Sequence, residues 1–263
     1  MSIRQGIVLF TKVPTQVPVK TRLAHSQFPK NFQVDLTTAM IKDTLLILDE
    51  VMKHTLFTPI INYFPETNSA RNMIKKIITA IMEHENPSLM EKVNLVPQIG
   101  DTVGQRFSIA IDSAFKDLKM KSTIIVGSDT PHLSPAYILK GMEFLMSNPK
   151  GLVLGPSQNG GFYLFGTNHP CPREISEIFQ KNSIHNELGN LLELFPDHKA
   201  CILPTVFDID TFSDLRNVFS EVYARSFNNP REPAKMTAAH MWSLLKTLDK
   251  SIWESSQDSR TMS

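Results

Sequence analysis

The stretch "STIIVGSD", residues 122–129, is the clearest buried strand in the sequence and decides the fold class. Its β-branched run has no polar alternation, which is typical of a strand covered on both faces. Gly127 and Ser128 then permit a turn, and Asp129 emerges at the end of the strand. A strand of this kind belongs in the interior of a sheet packed between helices.

Short apolar runs of the same kind alternate with longer stretches of helical period. The strand candidates before it are "GIVLF" at 6–10, "LFTPIINYF" at 56–64 and "VNLVPQ" at 93–98. The helix candidates include 32–54, 69–85, 103–118 and 134–147, the last with Ser134 as N-cap and Pro135 at its first position. "GLVLGP" and "GGFYLFG" lie close together and predict an edge or hairpin region. This order predicts an α/β fold, a doubly wound and mostly parallel sheet with helices on both faces.

The composition is that of an ordinary globular chain with no general attraction for polyanions. The 263 residues are 41% hydrophobic and 20% charged, and the formal net charge is +1. We therefore expect neither nucleic acid nor an anionic membrane as a partner, and any anion site has to be local. No run approaches the ~18 apolar residues of a membrane span, and no secretory signal is recognisable. Cys171 and Cys201 have no metal-type spacing, so we expect reduced thiols and a cytoplasmic protein.

The end of the chain differs from the rest. A Pro/Asn-rich break, "NNPREP" at 228–233, precedes apolar residues at helical spacing: Met241, Leu244, Leu245, Leu248 and Ile252. We divide the sequence into a main domain at 1–226 and a helical extension at 227–263 with a disordered polar tail. We expect the helix to pack back on the domain, and a homodimer contact is the alternative.

A basic loop follows the first strand: "TKVPTQVPVKTRLA", residues 11–24. It sets Lys12, Lys20 and Arg22 among prolines and contains no glycine. Ligands of doubly wound sheets bind beyond the carboxyl ends of the strands, where the strand order reverses, so this loop is a candidate phosphate site. Without glycine the backbone N–H groups cannot close around an anion as in a P-loop. The side chains would have to hold the phosphate.

Two carboxylate sites also follow strands. Asp129 suits Mg²⁺, a hard cation that takes one or two carboxylates and completes its shell with water and phosphate oxygens; capping of the next turn is the alternative. Asp208 and Asp210 follow the apolar "CILP", and either is a candidate second metal ligand. Thr211 and Asp214 have capping-box spacing, which predicts that Thr211 starts a helix. With the basic loop, these carboxylates predict a metal–diphosphate clamp.

A glycine pair interrupts "LGPSQNGGFYLFG", residues 154–166. Gly160 and Gly161 permit a close approach of a base or a sugar to the sheet, or they serve only a tight hairpin. Neither G-x-G-x-x-G nor G-x-x-x-x-G-K-[ST] occurs, which argues against Rossmann dinucleotide binding and P-loop chemistry.

Five motifs in order carry a family resemblance: "LFTKVPTQVPVKTRLA", "PQIGDTVGQRF", "VGSDTPHLS", "LGPSQNGGFYLFG" and "DIDTFSDL". They resemble a bacterial and archaeal family of GT-A-type glycosyltransferase-like proteins associated with arsenosugar biosynthesis. That family is similar to molybdenum-cofactor and 2-phospho-L-lactate guanylyltransferases, which share a K-[ST]-R-L element after the first strand. The resemblance spans residues 6–218. It implies a nucleotide-diphospho-sugar transferase fold and a nucleotide donor held by Mg²⁺ or Mn²⁺.

The resemblance also implies roles for individual residues. Lys12, Lys20 and Arg22 would contact donor phosphates, Gln98 and Gly100 would read the nucleobase, and Arg106 would lie on the helix that follows. Asp129 would be the principal metal ligand, with Asp210 or Asp208 the second. Gly160 and Gly161, with Asn159 before them, would line the sugar or acceptor pocket. Lys20, Arg22 and Asp129 are the residues on which catalysis would depend.

The sequence departs from the family at three places in this site. Val17 and Pro18 stand where the family has glycine and arginine, and Asn159 stands where it has aspartate. "SIHNE", residues 183–187, replaces a W-x-T element. An asparagine can bind a sugar or a metal but cannot act as a base.

Three functions follow from these observations. The first is metal-dependent transfer of a glycosyl group from a nucleotide-sugar to a small acceptor. The second is nucleotidyl transfer from an NTP to a phosphorylated small molecule. The third is a nucleotide-binding homologue with weakened catalysis, suggested by Asn159 and the altered loop.

Overall fold

The structure is a computed structural model that describes residues 4–23, 28–83, 92–179, 187–227, 238–248 and 252. The strands of this part of the chain are β1 (Gln5–Lys12), β2 (Thr58–Phe64), β3 (Asn94–Pro97), β4 (Ser122–Gly127), β5 (Gly151–Pro156), β6 (Phe162–Thr167) and β7 (Lys199–Ile202). The α-helices are α1 (Phe32–His54), α2 (Asn68–Met82), α3 (Val103–Lys116), α4 (Pro135–Ser147), α5 (Glu187–Glu193), α6 (Phe212–Phe227) and α7 (Ala239–Leu245). Short 3₁₀ helices cover Thr21–Leu23 and Arg173–Glu177.

The strands form one seven-stranded sheet in the order β3-β2-β1-β4-β6-β5-β7. β6 is antiparallel to both of its neighbours, and the remaining pairs are parallel. The chain runs outward from β1 to β3 on one side and returns to place β4 on the other side of β1. The strand order therefore reverses between β1 and β4, which is where ligands bind in sheets of this class.

The central strands are buried on both faces, as the sequence predicted. Ile7 and Leu9 of β1 point into a core beneath α1, α2 and α4, whereas Val8 points into a second core beneath α3 and α5. Ile124 and Ile125 of β4 divide between the same two cores. Helices thus cover both faces, and the doubly wound α/β fold is confirmed.

The prediction for β5 and β6 is half right. The two strands pair antiparallel, with Leu154 opposite Phe165, as a hairpin requires. They do not lie at the edge, because β6 pairs with β4 and the short strand β7 pairs with β5 on the outside. β7, whose last two residues are the first two of the apolar "CILP" run, is the outermost strand on this side of the sheet.

Helix α7 packs back against α1, as expected of the C-terminal extension. Met241, Leu245 and Leu248 are buried in a third core with Leu36 and Met40 of α1. The break at 228–233 and the polar tail lie outside the described residues, and the division at 226/227 stays a prediction. None of the described helices combines the length and apolar character that a membrane crossing requires.

Candidate functional site

A cleft of about 450 Å³ opens at the carboxyl ends of β1 and β4, where the strand order reverses. Several residues predicted for the site form part of its wall: Lys12, Lys20, Arg22, Gln98, Arg106, Asp129 and Asp210. The other predicted residues do not contribute to the wall: Gly100, Asn159, Gly160, Gly161 and Asp208. The fold thus gathers one basic loop and two acidic segments at a single edge of the sheet.

The basic loop takes its shape without glycine. Thr15 and Lys20 have φ angles of 71° and 48°, in the left-handed region that glycine usually occupies. The amide of Val13 donates to the carbonyl of Phe64 at 2.7 Å, which ties the start of the loop to the end of β2. The bend at Lys20 directs its side chain inward, where only 7% of it is exposed.

Lys20 joins the two acidic segments. Its Nζ lies 2.9 Å from Oδ2 of Asp129 and 3.2 Å from Oδ1 of Asp210. Arg22 is more peripheral: its Nη1 lies 3.6 Å from Oδ2 of Asp210, and 74% of its side chain is exposed. Burial by itself lowers the pKa of Lys20, but the charges of both carboxylates and its hydrogen bonds to them outweigh this, so the pKa is raised. Lys20 therefore stays an ammonium in this setting.

Asp129 is supported from β1 through two buried hydroxyls. Oγ1 of Thr11 donates to Oγ of Ser128 at 3.0 Å, and Oγ of Ser128 lies 3.4 Å from Oδ1 of Asp129. The backbone also joins the acidic segments, because the amide of Ile209 donates to the carbonyl of Asp129 at 3.0 Å. Asp129 is thus held both by its side-chain neighbours and by the chain that carries Asp210.

Asp210 is placed by the capping box at the start of α6, which confirms the prediction from its spacing. Oδ2 of Asp214 accepts from the amide of Thr211 at 2.7 Å, and the amide of Asp214 donates back to Oγ1 of Thr211 at 3.3 Å. The same Oδ2 accepts from the amide of Asp210 at 3.2 Å. The cap therefore fixes the backbone that carries Asp210 as well as the helix.

Asn159 organises the turn between β5 and β6. Its Oδ1 accepts from Oγ of Ser157 at 2.6 Å and from the amide of Gly161 at 3.0 Å. Its Nδ2 donates to Oδ2 of Asp208 at 2.7 Å. Gly160 has a φ of 90°, so the tight turn needs a glycine there. Asp208 is consequently bound to this turn rather than to Lys20.

Glu187, the first residue of α5, is a neighbour of this turn that the motifs did not indicate. A Cβ at Gly161 would lie 3.0 Å from Oε2 of Glu187, so a larger residue there would require the carboxylate to shift by a few tenths of an ångström. Burial first, and then the charges of Asp208 and Asp210, raise the pKa of Glu187. Burial and the charge of Asp210 likewise raise the pKa of Asp208. The one sequence feature that could have indicated Glu187 was the segment 183–187, which differs from the W-x-T element of the resembling family. Residues 183–186 of this segment lie outside the described part of the chain.

The residues assigned to the nucleobase are already engaged with the protein. Nε2 of Gln98 donates to the carbonyls of Thr11 and Asn62 at 3.0 Å and 2.9 Å, so both amide hydrogens are used. Nη1 of Arg106 donates to the carbonyls of Gly100 and Asp101 at 3.2 Å and 3.1 Å. Burial lowers the pKa of Arg106. These contacts stabilise the loop after β3, and a contact of the Gln98 side chain with a base would have to use its oxygen.

An aromatic wall, which sequence reasoning missed, completes the cleft: Phe10, Phe107, Phe162 and Phe179. The ring of Phe107 lies at its centre, 5.5–6.0 Å from the rings of the other three in edge-on contacts. The cleft therefore combines charged groups on one side with an apolar surface on the other, as ligand sites commonly do. Two strands, one helix and the turn after a 3₁₀ helix contribute these rings, so no local motif could reveal the wall.

The carboxylates suit a hard divalent cation by their chemistry, since Mg²⁺ and Mn²⁺ take oxygen ligands. Two protein carboxylates leave most of a coordination shell to water and substrate oxygens. Among the residues that the structure describes, no group of three or more His, Cys, Asp or Glu side chains could hold a metal. The donor set thus fits a cation shared with a ligand, and Lys20 contacts the same oxygens.

The sequence is similar to one protein family over part of its length. Residues 63–182 match the family DUF2064, described as an uncharacterized protein conserved in bacteria. No curated protein matches the chain. The association with arsenosugar biosynthesis stays a prediction.

Solved structures resemble the chain over most of its length. A Desulfovibrio desulfuricans G20 protein provisionally named a nucleotide-diphospho-sugar transferase is 21% identical, with a TM-score of 0.72 over 95% of this chain and 97% of that one. The 4-diphosphocytidyl-2C-methyl-D-erythritol synthase of Anaerococcus prevotii DSM 20548 is more distant, at 11% identity and a TM-score of 0.49 over 84% and 96%. Rv0371c of Mycobacterium tuberculosis H37Rv, in complex with manganese, is 14% identical, with a TM-score of 0.44 over 84% and 100%. The first of these similarities confirms the nucleotide-diphospho-sugar transferase fold.

Proposed function

We propose that this protein is a transferase that binds a nucleotide-sugar together with Mg²⁺ or Mn²⁺ and transfers the glycosyl group to a small acceptor. One observation carries the proposal: Lys20 meets Asp129 and Asp210 in a cleft at the switch point of the sheet. The fold likeness to a protein named as a nucleotide-diphospho-sugar transferase supports the same class.

In this proposal each part of the cleft has a task. Lys12, Lys20 and Arg22 bind the donor phosphates, and transfer depends on Lys20, Arg22 and Asp129. Asp129 holds the cation with Asp210 rather than Asp208, because Asp208 is bound to Asn159. The loop of Gln98 and Gly100, fixed by Arg106, lies toward the base. A bound divalent cation would neutralise the charge that develops on a departing diphosphate.

The turn after β5 would receive the sugar or the acceptor. Asn159 and Gly161 bring the backbone close to Glu187 and Asp208, which supply hydrogen-bond acceptors for hydroxyl groups. The aromatic wall would exclude water from the opposite side. Asn159 cannot remove a proton, so the nearby carboxylates are the candidates for that task.

Nucleotidyl transfer from an NTP is the second candidate, favoured by the exposure of Arg22. A guanidinium with 74% of its side chain exposed beside the cleft could bind one phosphate more than a diphosphate presents. A binding protein with weakened catalysis is the third, because Asn159 stands where the resembling family has aspartate.

A thermal-shift screen tests the shared part of the proposal. Nucleoside diphosphates, triphosphates and nucleotide-sugars are each added with and without Mn²⁺. We expect at least one to raise the Tm in a Mn²⁺-dependent manner, and Asp129→Ala to remove that dependence. If no nucleotide raises the Tm, or if Asp129→Ala leaves the Mn²⁺ dependence of the shift unchanged, the hypothesis of a metal–diphosphate clamp is wrong.

A labelled donor then separates the three functions. Radioactivity in the sugar reaches an acceptor in glycosyl transfer, whereas radioactivity in the base reaches it in nucleotidyl transfer. If the donor binds but shows neither metal-dependent transfer nor metal-dependent hydrolysis, the protein is the third candidate, a binding protein with weakened catalysis.

A further inference from the structure

Lys20 occupies the position between two carboxylates that a divalent cation would take. Its Nζ is within 2.9 Å of Asp129 and 3.2 Å of Asp210, and its side chain is almost fully buried. The φ of Lys20 is 48°, in the left-handed region, and this uncommon backbone conformation accompanies the buried side chain. The contact is therefore part of the loop's architecture and not a chance pairing of surface charges.

An ammonium and a metal ion compete for these oxygens. Lys20 contacts Oδ2 of Asp129 and Oδ1 of Asp210, and a metal ion held by the same two carboxylates would place a second positive charge near the ammonium, where the two charges repel each other. A cation can bind there only when Lys20 moves away. Lys20 then needs another anion, because an ammonium left unpaired in a buried place is strongly unfavourable.

The other aspartates of the second acidic segment are already engaged and are not available as partners for a displaced Lys20. Asp208 accepts a 2.7 Å hydrogen bond from Asn159, and Asp214 is used by the cap of α6. The phosphates of a donor, in contrast, would enter the same cleft, and their negative charges could pair with the Lys20 ammonium. The flexible four-carbon stem of a lysine allows such a movement.

We propose that Lys20 is an exchangeable counterion that keeps a divalent cation out of the Asp129–Asp210 pair until phosphate groups draw it away. Cation and donor then bind together, and each favours the binding of the other. The identity of the anion in this inference rests on the proposed function. The competition between Lys20 and the cation is independent of that function.

Binding of Mn²⁺ alone tests the competition. Its affinity is measured by electron paramagnetic resonance and calorimetry for the wild type, for Lys20→Met and for Lys12→Met. Lys12→Met removes the same charge from the same loop, and within the described part of the chain Lys12 pairs with neither carboxylate. We expect Lys20→Met to bind Mn²⁺ ~10-fold or more tightly than the wild type. Lys12→Met should change the affinity by less than about threefold, through screened long-range charge alone.

Three results would overturn the competition. Equal affinity in the wild type and Lys20→Met means that Lys20 does not compete. Equal gains in Lys20→Met and Lys12→Met mean that only the net charge matters. Failure of Lys20→Met to bind, when its circular dichroism and Tm show a folded chain, means that the pair is not a cation site. Lys20→Gln repeats the comparison if Lys20→Met does not fold, and Asp129→Asn added to either variant should abolish the gain.

The exchange with phosphate has a separate readout. The ¹⁵N resonance of the Lys20 ammonium, assigned with Lys20→Arg, is followed while inorganic pyrophosphate is added without metal. We expect it to shift as the ammonium leaves the carboxylates. Pyrophosphate that binds without moving this resonance overturns the exchange. Absence of pyrophosphate binding counts against the proposed function and the exchange together, while the Mn²⁺ comparison still decides the competition.

Discussion

Asn159 donates a 2.7 Å hydrogen bond to Asp208 from the turn that joins the antiparallel pair β5 and β6. An aspartate at 159 would keep the two bonds that Oδ1 accepts, from Ser157 and Gly161, but would set a second carboxylate against Asp208. The amide is thus matched to its partner. In this chain the carboxylate that bonds to residue 159 belongs to position 208.

Asn159→Asp should therefore destabilise the protein at neutral pH. We expect a loss of about 1 kcal/mol, the usual scale of one hydrogen bond, or about 2–4 °C in Tm for a chain of this size. The difference should shrink in acid, where one of the two carboxyls takes up a proton. Gln158→Glu, the same change at the exposed neighbouring position, is the control and should alter the Tm little. Equal losses in the two variants would contradict the pairing.

Glu187→Gln should stabilise the protein at neutral pH. Because the pKa of Glu187 is raised in the folded chain, the native state binds this proton more readily than the unfolded state does. The free energy of unfolding therefore falls as the pH rises from the ordinary value of 4.5 through the raised one. We expect the variant to have the higher Tm at about pH 7 and to lose this advantage near pH 4.

Glu193→Gln, an exposed position at the other end of the same helix, is the control for that comparison. Calorimetric scans across the pH range measure both variants. A gain for Glu187→Gln that is independent of pH would show that its charge is not the cause.

Asp214→Ala should weaken ligand binding as well as stability, because Asp214 holds the backbone of Asp210 and Thr211. Gln105→Ala is a matched control: Oε1 of Gln105 accepts from the amides of Asp101 and Thr102 in the second capping box, at the start of α3. Each variant should lose about 1 kcal/mol of stability in urea titrations. Only Asp214→Ala should also reduce the Mn²⁺-dependent part of the thermal shift. Equal reductions would mean that Asp210 does not depend on its cap.

Asp43→Asn should detach the C-terminal helix. The buried carboxylate of Asp43, in the middle of α1, accepts from the amides of His240 and Met241 at 2.8 Å and 2.9 Å, and lies 3.0 Å from Nδ1 of His240. We expect a loss of about 2–3 kcal/mol, since these are bonds to a charged acceptor. Hydrogen exchange of the α7 amides measures whether the loss is local. Glu50→Gln, which changes a half-exposed carboxylate on α1 that pairs with Lys53 at 3.0 Å, should cost less than about 1 kcal/mol.

The sequence predicted what depends on local pattern. β4 and β1 are apolar on both faces, and the positions of Thr211 and Asp214 define a helix cap, so burial and capping could be inferred without coordinates. The strand-end rule then brought Asp129, Asp210 and Lys20 into one cleft. Each inference needed only the spacing of apolar and capping residues along the chain and the direction of the strands.

What the sequence missed depends on contacts between distant segments. Asp43 and His240 are 197 positions apart, and nothing local distinguishes Asp43 from any other acidic residue of a helix. The position of β5 inside the sheet required the pairing of β7, a strand of four residues with mostly exposed side chains. The ring of Phe179 reaches the cleft just after a 3₁₀ helix that packs on α3, and Glu187 meets the turn after β5 from the start of α5.

The bond between the amide of Ile209 and the carbonyl of Asp129 uses main-chain atoms only. Substitutions at positions 129, 208 and 210 change only side chains, so they leave this main-chain hydrogen bond between the two acidic segments in place. A saturation library at these three codons would sample altered chemistry on a constant frame. Fitness scores at 129 and 210 would then report mainly on the carboxylates that meet Lys20, whereas scores at 208 would also include the loss of the hydrogen bond to Asn159.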